Sequence, residues 1–243
     1  MMFCNMIKKL LYYHPLGRDI ILIKRWKWRK FISKGNLLTL DIGCNGGIWS
    51  IYCLSIGNKI VGIDIDTDAI QRAENIAEIY GFNKEMYEFK KTDIRNLTYS
   101  KNFSQILCFE VIEHIKNDKE VLKKIYKLLK PGGKLLISSP NKKCPLVQKS
   151  KISKTEDSGH VREGYTIDEL KNKLEDIGFD VIYSNSEGGY FTQKTLIMSR
   201  KISDIMNNQV ITFFSKLMLS FFLLFDPINN NYPDYTIFII AKK

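Results

Sequence analysis

The stretch Leu38-Thr39-Leu40-Asp41-Ile42-Gly43-Cys44-Asn45-Gly46-Gly47 decides how this chain is read, because an apolar strand there runs into an acid and then a cluster of glycines. Glycines at a strand end let the backbone turn sharply and come close to a ligand, since a β-carbon would collide with it or forbid positive φ. Asn45 suits the same turn, being one of the few non-glycine residues that enters the left-handed region readily. The spacing is not the dinucleotide pattern G-x-G-x-x-G. A nucleotide-like cofactor is therefore expected from the context of the glycines rather than from their number.

Outward from that turn, residues 36–140 alternate short apolar strands with amphipathic helices, the signature of βαβ units around a mainly parallel sheet. Strands are expected at residues 37–41, 59–64, 86–92, 105–110 and 134–139. Ile70, Ala73, Ile76, Ala77 and Tyr80 form one helical stripe, ended by Gly81. Val121, Leu122, Ile125, Leu128 and Leu129 form another, opened by a capping pair of Asn117 and Glu120 and closed by Pro131-Gly132-Gly133. A third helix, residues 167–177, starts with a capping box of Thr166 and Glu169 and stops at Gly178. Residues 179–183 and 235–241 supply an antiparallel pair at one edge. The fold class is α/β: a doubly wound, Rossmann-like, seven-stranded, mainly parallel sheet with an antiparallel edge strand and helices on both faces. Residues 1–35 form a helical basic arm; residues 36–243 form one domain with a substrate-side loop at 140–165 and a hydrophobic helical insertion at 193–226.

With 243 residues, 44% apolar and 26% charged, the chain can bury one sizeable core, which excludes disordered and collagen-like classes. The net charge of +11 favours anionic partners. Lysine heavily outnumbers arginine, and no arginine cluster or basic and aromatic signature is present, so nucleic acid is not the expected partner. Cys4, Cys44, Cys53, Cys108 and Cys144 are scattered and odd in number, which supports neither a disulfide framework nor a paired zinc motif and fits a cytoplasmic protein. Lys8 and Lys9 are followed by a run broken at His14 and Pro15, so no secretion signal is expected.

Residues 210–225 are the greasiest segment, with Lys216 the only charge. Sixteen helical residues rise about 24 Å, short of a hydrocarbon core of roughly 30 Å, so a full crossing is not expected. A core helix, a lid over the substrate and a helix lying in a membrane interface all remain open. Trp26 and Trp28, set among Lys24, Arg25, Lys27, Arg29 and Lys30, add weight to peripheral contact with an anionic membrane; a helix packed on the domain explains them as well.

Chemistry concentrates at the strand ends. Asp64 closes the second strand about twenty residues after the first glycine, where an acid can accept both ribose hydroxyl hydrogens. Asp93 closes the third and can accept from an adenine amino group; Glu110 to His114 follow the fourth, facing the cleft. Through DIGCNGG (41–47), VGIDID (61–66), TDI (92–94), FEVIEHI (109–115) and LLKPGGKLLISSPN (128–141), the chain resembles the class I S-adenosylmethionine-dependent methyltransferases. It is most similar to the broad type 11 group that includes the ubiquinone-biosynthesis O-methyltransferases. The resemblance covers residues 37–140 and continues more weakly through GHVREGYT (159–166), a segment similar to methyltransferases acting on glycans or lipid-linked intermediates. The family usually has glycine where Asn45 stands.

The resemblance implies S-adenosyl-L-methionine as cofactor. Asp41 and the backbone of Gly43, Cys44, Asn45 and Gly47 would hold its amino-acid moiety, Asp64 with Ile65 its ribose, Asp93 with Ile94 its adenine, and Phe109 with Glu110 the methionine side. Plainer roles stand beside these: Asp64 and Asp66 as helix caps, Asp93 as a turn residue. The transferred methyl is activated by a positive sulfur, so the protein must align acceptor, carbon and sulfur and exclude water. For a hydroxyl acceptor the candidate catalytic bases are His114 and His160, against packing or structural hydrogen bonds. Arg162 can pair with a substrate phosphate or carboxylate, or with Glu163 or Glu156. Glu113 and His114 are adjacent while Glu156 and Asp157 lie far along the chain, so no metal is expected. The expected activity is methyl transfer to an oxygen of a small-molecule, glycan or lipid-linked acceptor. RNA methylation and a non-catalytic S-adenosylmethionine-binding interaction module are the alternatives.

Overall fold

Seven strands build one sheet in the order β3-β2-β1-β4-β5-β7-β6. They are β1 (Leu38–Ile42), β2 (Lys59–Asp64), β3 (Tyr87–Lys91), β4 (Phe103–Phe109), β5 (Leu129–Pro140), β6 (Asp180–Glu187) and β7 (Thr236–Lys242). The computed structural model describes residues 20–100, 102–156, 159–205, 209–228 and 231–243. Cys4, Lys8, Lys9 and the rest of the arm before Ile20 lie outside them. β1 to β5 run parallel, and β7 lies antiparallel between β5 and the edge strand β6. The expected antiparallel edge pair is thus formed.

Side chains alternate across each strand, so every central strand feeds two cores. Ile106 and Cys108 of β4 join the core that includes Val121, Leu122 and Ile125 of α4 (Asp118–Leu128) and Leu170 and Leu174 of α5 (Ile167–Glu175). Leu107 joins the opposite core, with Ile51 and Cys53 of α2 (Ile48–Ser55) and Ala73 and Ala77 of α3 (Thr67–Tyr80). Asp66 caps α3 by accepting from the Asp68 amide at 2.9 Å, and Gly81 ends it at φ 74°. The Thr166–Glu169 capping box forms as expected.

Two local expectations need correction. The Asn117–Glu120 cap does not form: Asn117 sits at ψ 63°, outside the extended region a cap requires, and its side-chain Nδ2 instead donates to the Glu120 carboxylate at 2.8 Å. Pro131-Gly132-Gly133 does not precede β5 but bulges within it, where pairing with β4 jumps from Phe103–Leu129 to Gln105–Lys134. Backbone bonds from Gly132 N to Lys243 O (3.0 Å) and from Lys243 N to Gly133 O (2.9 Å) hold that bulge.

The arm is core. After α1 (Ile20–Arg25), a 3-10 segment (Trp26–Phe31) buries Trp26 and Trp28, and Trp28 stacks on Phe238 of β7 with centroids 4.5 Å apart. These rings are therefore withdrawn from any headgroup layer. Trp26 packs against Trp49 and Tyr52 of α2, so the arm continues the helical layer from α2 across to β7.

The greasy insertion forms α6 (Tyr190–Ile205), α7 (Gln209–Ser220) and a 3-10 segment (Phe221–Ile228). Leu219 and Leu223 pack with Ile20, Ile21 and Leu196, while Phe214, Met218, Phe221 and Leu224 stay exposed. A core helix is thereby ruled out. No described helix is long and apolar enough to cross a membrane. Lys24 ties the arm to the insertion through Asp226 at 2.8 Å and the Leu223 carbonyl at 2.6 Å.

Truncating Trp28 to alanine empties a fully packed site and should cost about 3–5 kcal/mol in denaturant unfolding. A loss below about 1 kcal/mol would contradict the placement of the arm in the core.

Candidate functional site

Parallel strands leave a crevice outside their carboxyl ends where strand order reverses, here between β1 and β4. A cavity of about 300 Å³ occupies that edge, lined by Gly43, Asn45, Asp64, Ile65, Asp93, Ile94, Glu110 and His114 among others. Gly43 sits at φ 65°, and a β-carbon there would come within 2.4 Å of the Val111 side chain. Asn45 adopts φ 48°, the left-handed conformation expected of it. Its amide donates to the Asp64 carboxylate at 2.8 Å, while the other Asp64 oxygen accepts from the Asp66 amide at 3.0 Å. The acid of β2 thus fixes the loop of β1 and retains free lone pairs on the cavity side.

Asp41 stands beneath the loop and not on the cavity wall. It is buried and accepts from the Ser50 hydroxyl at 2.6 Å. Burial, opposed by the Ser50 hydrogen bond and reinforced by Asp64, pushes its carboxyl up to about 7. Cys44, Gly47 and Phe109 also lie behind the wall. Burial raises the Cys44 thiol above its ordinary range, and Phe109 packs against Trp28 and Trp49.

Asp93 faces the cavity but is already paired. Arg95 reaches it with Nε at 3.0 Å and Nη2 at 2.6 Å, and this hydrogen bonding lowers the Asp93 pKa against the effect of partial burial. Arg95 also pairs with Glu156 at 2.7 Å, whose other oxygen accepts from the Lys116 amide at 2.6 Å. These bonds fold the 140–165 loop over the Asp93 side of the cavity.

Glu110 holds φ 57°, an uncommon conformation for a non-glycine residue. One of its oxygens pairs with Arg25 of the arm at 2.6 Å; the other accepts from Ser138 and Thr236 hydroxyls, both at 2.9 Å. His114 and His160 meet edge-on with ring centroids 4.7 Å apart. His114 Nδ1 lies 3.0 Å from the Gly159 carbonyl, and the Val161 amide donates to the Glu113 carbonyl at 3.0 Å. Burial, then His114, lowers the His160 pKa. Both histidines therefore share one corner of the site, as their sequence positions alone could not show.

Arg162 is not offered to a substrate anion, nor does it pair with Glu163 or Glu156. It donates to Asp118 at 2.5 Å and to the Ile115 and Lys116 carbonyls at 2.6 and 2.9 Å, while Tyr165 donates to the same Asp118 oxygen at 2.5 Å. This network anchors the loop carrying His160. Arg25, Arg95 and Asp118 were missed from sequence. Arg95, two residues after Asp93, offered the only local signal; the others act across 85 and 44 residues, by Arg25 to Glu110 and Asp118 to Arg162.

The family model described as a methyltransferase domain matches residues 27–184. The chain belongs to the methyltransferase domain family. Ubiquinone biosynthesis O-methyltransferase of Coxiella burnetii is 35% identical to this methyltransferase over 104 residues, covering 42% of the chain and 43% of that protein. The match thus spans less than half the length of the curated relatives. Coclaurine N-methyltransferase, solved with N-methylheliamine and S-adenosylhomocysteine, superposes with a TM-score of 0.62 at 16% identity, over 92% of this chain and 72% of that one. A phosphoethanolamine N-methyltransferase of Haemonchus contortus gives 0.61 at 18% identity, over 89% and 51%. At these identities the two structures establish a shared fold. S-adenosylmethionine is the cofactor of the family, and the cavity fits it: the Gly43–Asn45 turn lines it, Asp64 presents free acceptors, and the apolar Ile65 and Ile94 flank it.

An acid whose folded pKa lies above its unfolded value contributes stability at low pH that is lost as pH rises from the unfolded to the folded pKa. With 3.8 as the ordinary Asp41 value and about 7 in the fold, the ligand-free protein should lose stability between these limits, on the order of 4 kcal/mol. Asp41→Asn should flatten that part of the curve in urea unfolding at stepped pH. Parallel curves for the two proteins would contradict the assignment.

Proposed function

We propose that this methyltransferase moves the methyl group of S-adenosylmethionine to an oxygen of a small-molecule acceptor, with lipid-linked acceptors favoured over soluble glycans. The observation that carries the reading is that the Gly43–Asn45 turn, Asp64 and Asp93 open on one cavity. Bound there, the cofactor supplies a methyl carbon already activated by a positive sulfur. The chain's work is to hold and orient. The backbone of Gly43 to Gly47, supported from below by Asp41, receives the amino-acid end; Asp64 with Ile65 takes the ribose hydroxyls; Asp93 and Ile94 take the base; Glu110 bounds the methionine side. Asp93 keeps acceptor capacity beside Arg95 because a carboxylate offers about four lone-pair sites.

Oxygen is favoured because the 35% identical relatives are named O-methyltransferases over this half of the fold, and because His114 borders the cavity where an acceptor proton must be handled, with His160 packed edge-on against it. The 140–165 loop, latched by Glu156 to Arg95 and by Arg162 to Asp118, is held against that corner.

The lipid preference rests on the insertion. Phe214, Met218, Phe221 and Leu224 expose one apolar face, and α6 adds exposed Met198 and Ile205 with Lys194, Arg200 and Lys201 against the single acid Asp204. Apolar side chains flanked by cations suit the surface of an anionic bilayer.

Titration calorimetry with S-adenosylhomocysteine should give saturable binding that Asp64→Ala weakens about 10- to 100-fold, the worth of one or two charge-assisted hydrogen bonds. Unchanged affinity in a folded Asp64→Ala protein would remove Asp64 from the site. In flotation with phosphatidylglycerol vesicles the protein should rise with the lipid, and Phe214→Ser/Met218→Ser/Leu224→Ser should stay behind. Equal flotation of both proteins, or of neither, would refute the membrane contact.

A further inference from the structure

The geometry points to a divalent transition-metal site of the two-histidine, one-carboxylate type, formed by Glu113, His114 and His160 beside the cofactor cavity and best matched by zinc. One donor atom from each residue lies within 4.8 Å of the other two. Glu113 is fully buried, and among the described residues its carboxylate oxygens make no hydrogen bond of good geometry; the Ser139 hydroxyl is the side-chain donor close enough to favour its charged form. A buried, unpaired carboxylate costs several kcal/mol unless something positive answers it, and natural folds rarely keep one without a use. Arg25 is the nearby cation but is already paired with Glu110 at 2.6 Å.

The histidines are oriented as ligands are. His114 Nδ1 faces the Gly159 carbonyl at 3.0 Å, so the proton sits on Nδ1 and the Nε2 lone pair is free. That Nε2 lies 4.0 Å from Glu113 Oε1. Donors on a tetrahedral ion with 2.0–2.1 Å bonds are roughly 3.4 Å apart, so an ion would draw the group inward by about an ångström, within the reach of side-chain rotation. The His160 backbone is held in place, its carbonyl accepting from the Ser153 amide at 2.8 Å.

The donor set also selects the metal. Glu110 would be a second carboxylate, but its charge is already answered by Arg25 at 2.6 Å and its other oxygen accepts from Ser138 and Thr236. What remains is two nitrogens and one carboxylate, the set of open catalytic zinc sites, whereas magnesium and calcium take oxygen ligands throughout. His114 lines the cofactor cavity, so the open coordination position faces it. A hydroxyl bound there would be polarised by the ion, and the histidines would then serve as its ligands and not as free bases. That last role rests on the O-methylation reading above; the site itself does not.

The 243-residue chain stripped with chelator, then titrated with cobalt(II) and back-titrated with zinc(II), tests it. The expected result is one ion per chain, a visible d–d spectrum of low-symmetry cobalt displaced by zinc, and affinity lowered at least about 100-fold in Glu113→Gln and in His160→Ala. S-adenosylhomocysteine affinity in His160→Ala, measured alongside, should stay within about twofold, which separates the metal site from the cofactor reading and reports an intact fold. The absence of stoichiometric cobalt or zinc binding, or binding that survives both substitutions in protein that still takes S-adenosylhomocysteine, overturns the proposal.

Discussion

The 2.8 Å hydrogen bond from the Asn45 amide to the Asp64 carboxylate joins the loop after β1 to the end of β2, and the shape of the cofactor cavity depends on it. A turn with φ values of 65° at Gly43, 48° at Asn45 and 79° at Gly47 has little reason to hold one conformation by itself. A charged acceptor fixed at the end of the neighbouring strand supplies that reason. Asp64 is in turn held by the Asp66 amide, and Asp66 caps α3, so the cavity wall is continuous with a helix start. The Cys44 amide adds a bond to the Ile63 carbonyl at 3.0 Å, extending the pairing of β1 and β2 by one residue into the loop.

Around this joint the fold accepts buried acids. Asp41 and Glu113 are both removed from water, and in both burial is the largest influence raising the carboxyl pKa. Asp41 accepts a short hydrogen bond from the Ser50 hydroxyl; Glu113 has no bond of comparable geometry among the described residues. Glu110, close to Glu113 along the same strap, is neutralised by Arg25 from the arm. The arm is therefore more than cover for the sheet: by burying Trp26 and Trp28 it carries Arg25 to the site, and by Lys24 it holds the insertion at Asp226. One short segment links the helical insertion, the core and the cleft.

The sheet, its order of elements and most of the cavity residues were legible because they are written in local pattern. Period-two apolar runs mark the strands, the 3.6-residue stripe marks α3, and Gly81 and Thr166 mark helix ends. Asp64 and Asp93 were legible as acids closing strands. What stayed hidden depends on contacts between distant parts of the chain. The tryptophans left membrane contact and packing on the domain both open, because nothing nearby in sequence announces Phe238 as the stacking partner of Trp28. Arg162 read as a partner of a substrate anion or of Glu163 or Glu156, and not of Asp118, which lies 44 residues away. Asn117 failed as a cap for a backbone reason, its ψ of 63°, that residue type does not reveal. His160 gained its meaning only when the loop brought it to His114.

The most direct test of this account is a crystal structure with S-adenosylhomocysteine bound. The ligand should lie in the cavity at the carboxyl ends of β1, β2 and β3, with its ribose hydroxyls on Asp64, its base against Ile94 and its amino-acid end over the Gly43–Gly47 backbone. Density for the ligand elsewhere, or a ribose that leaves Asp64 bonded only to the Asn45 and Asp66 amides, would contradict it.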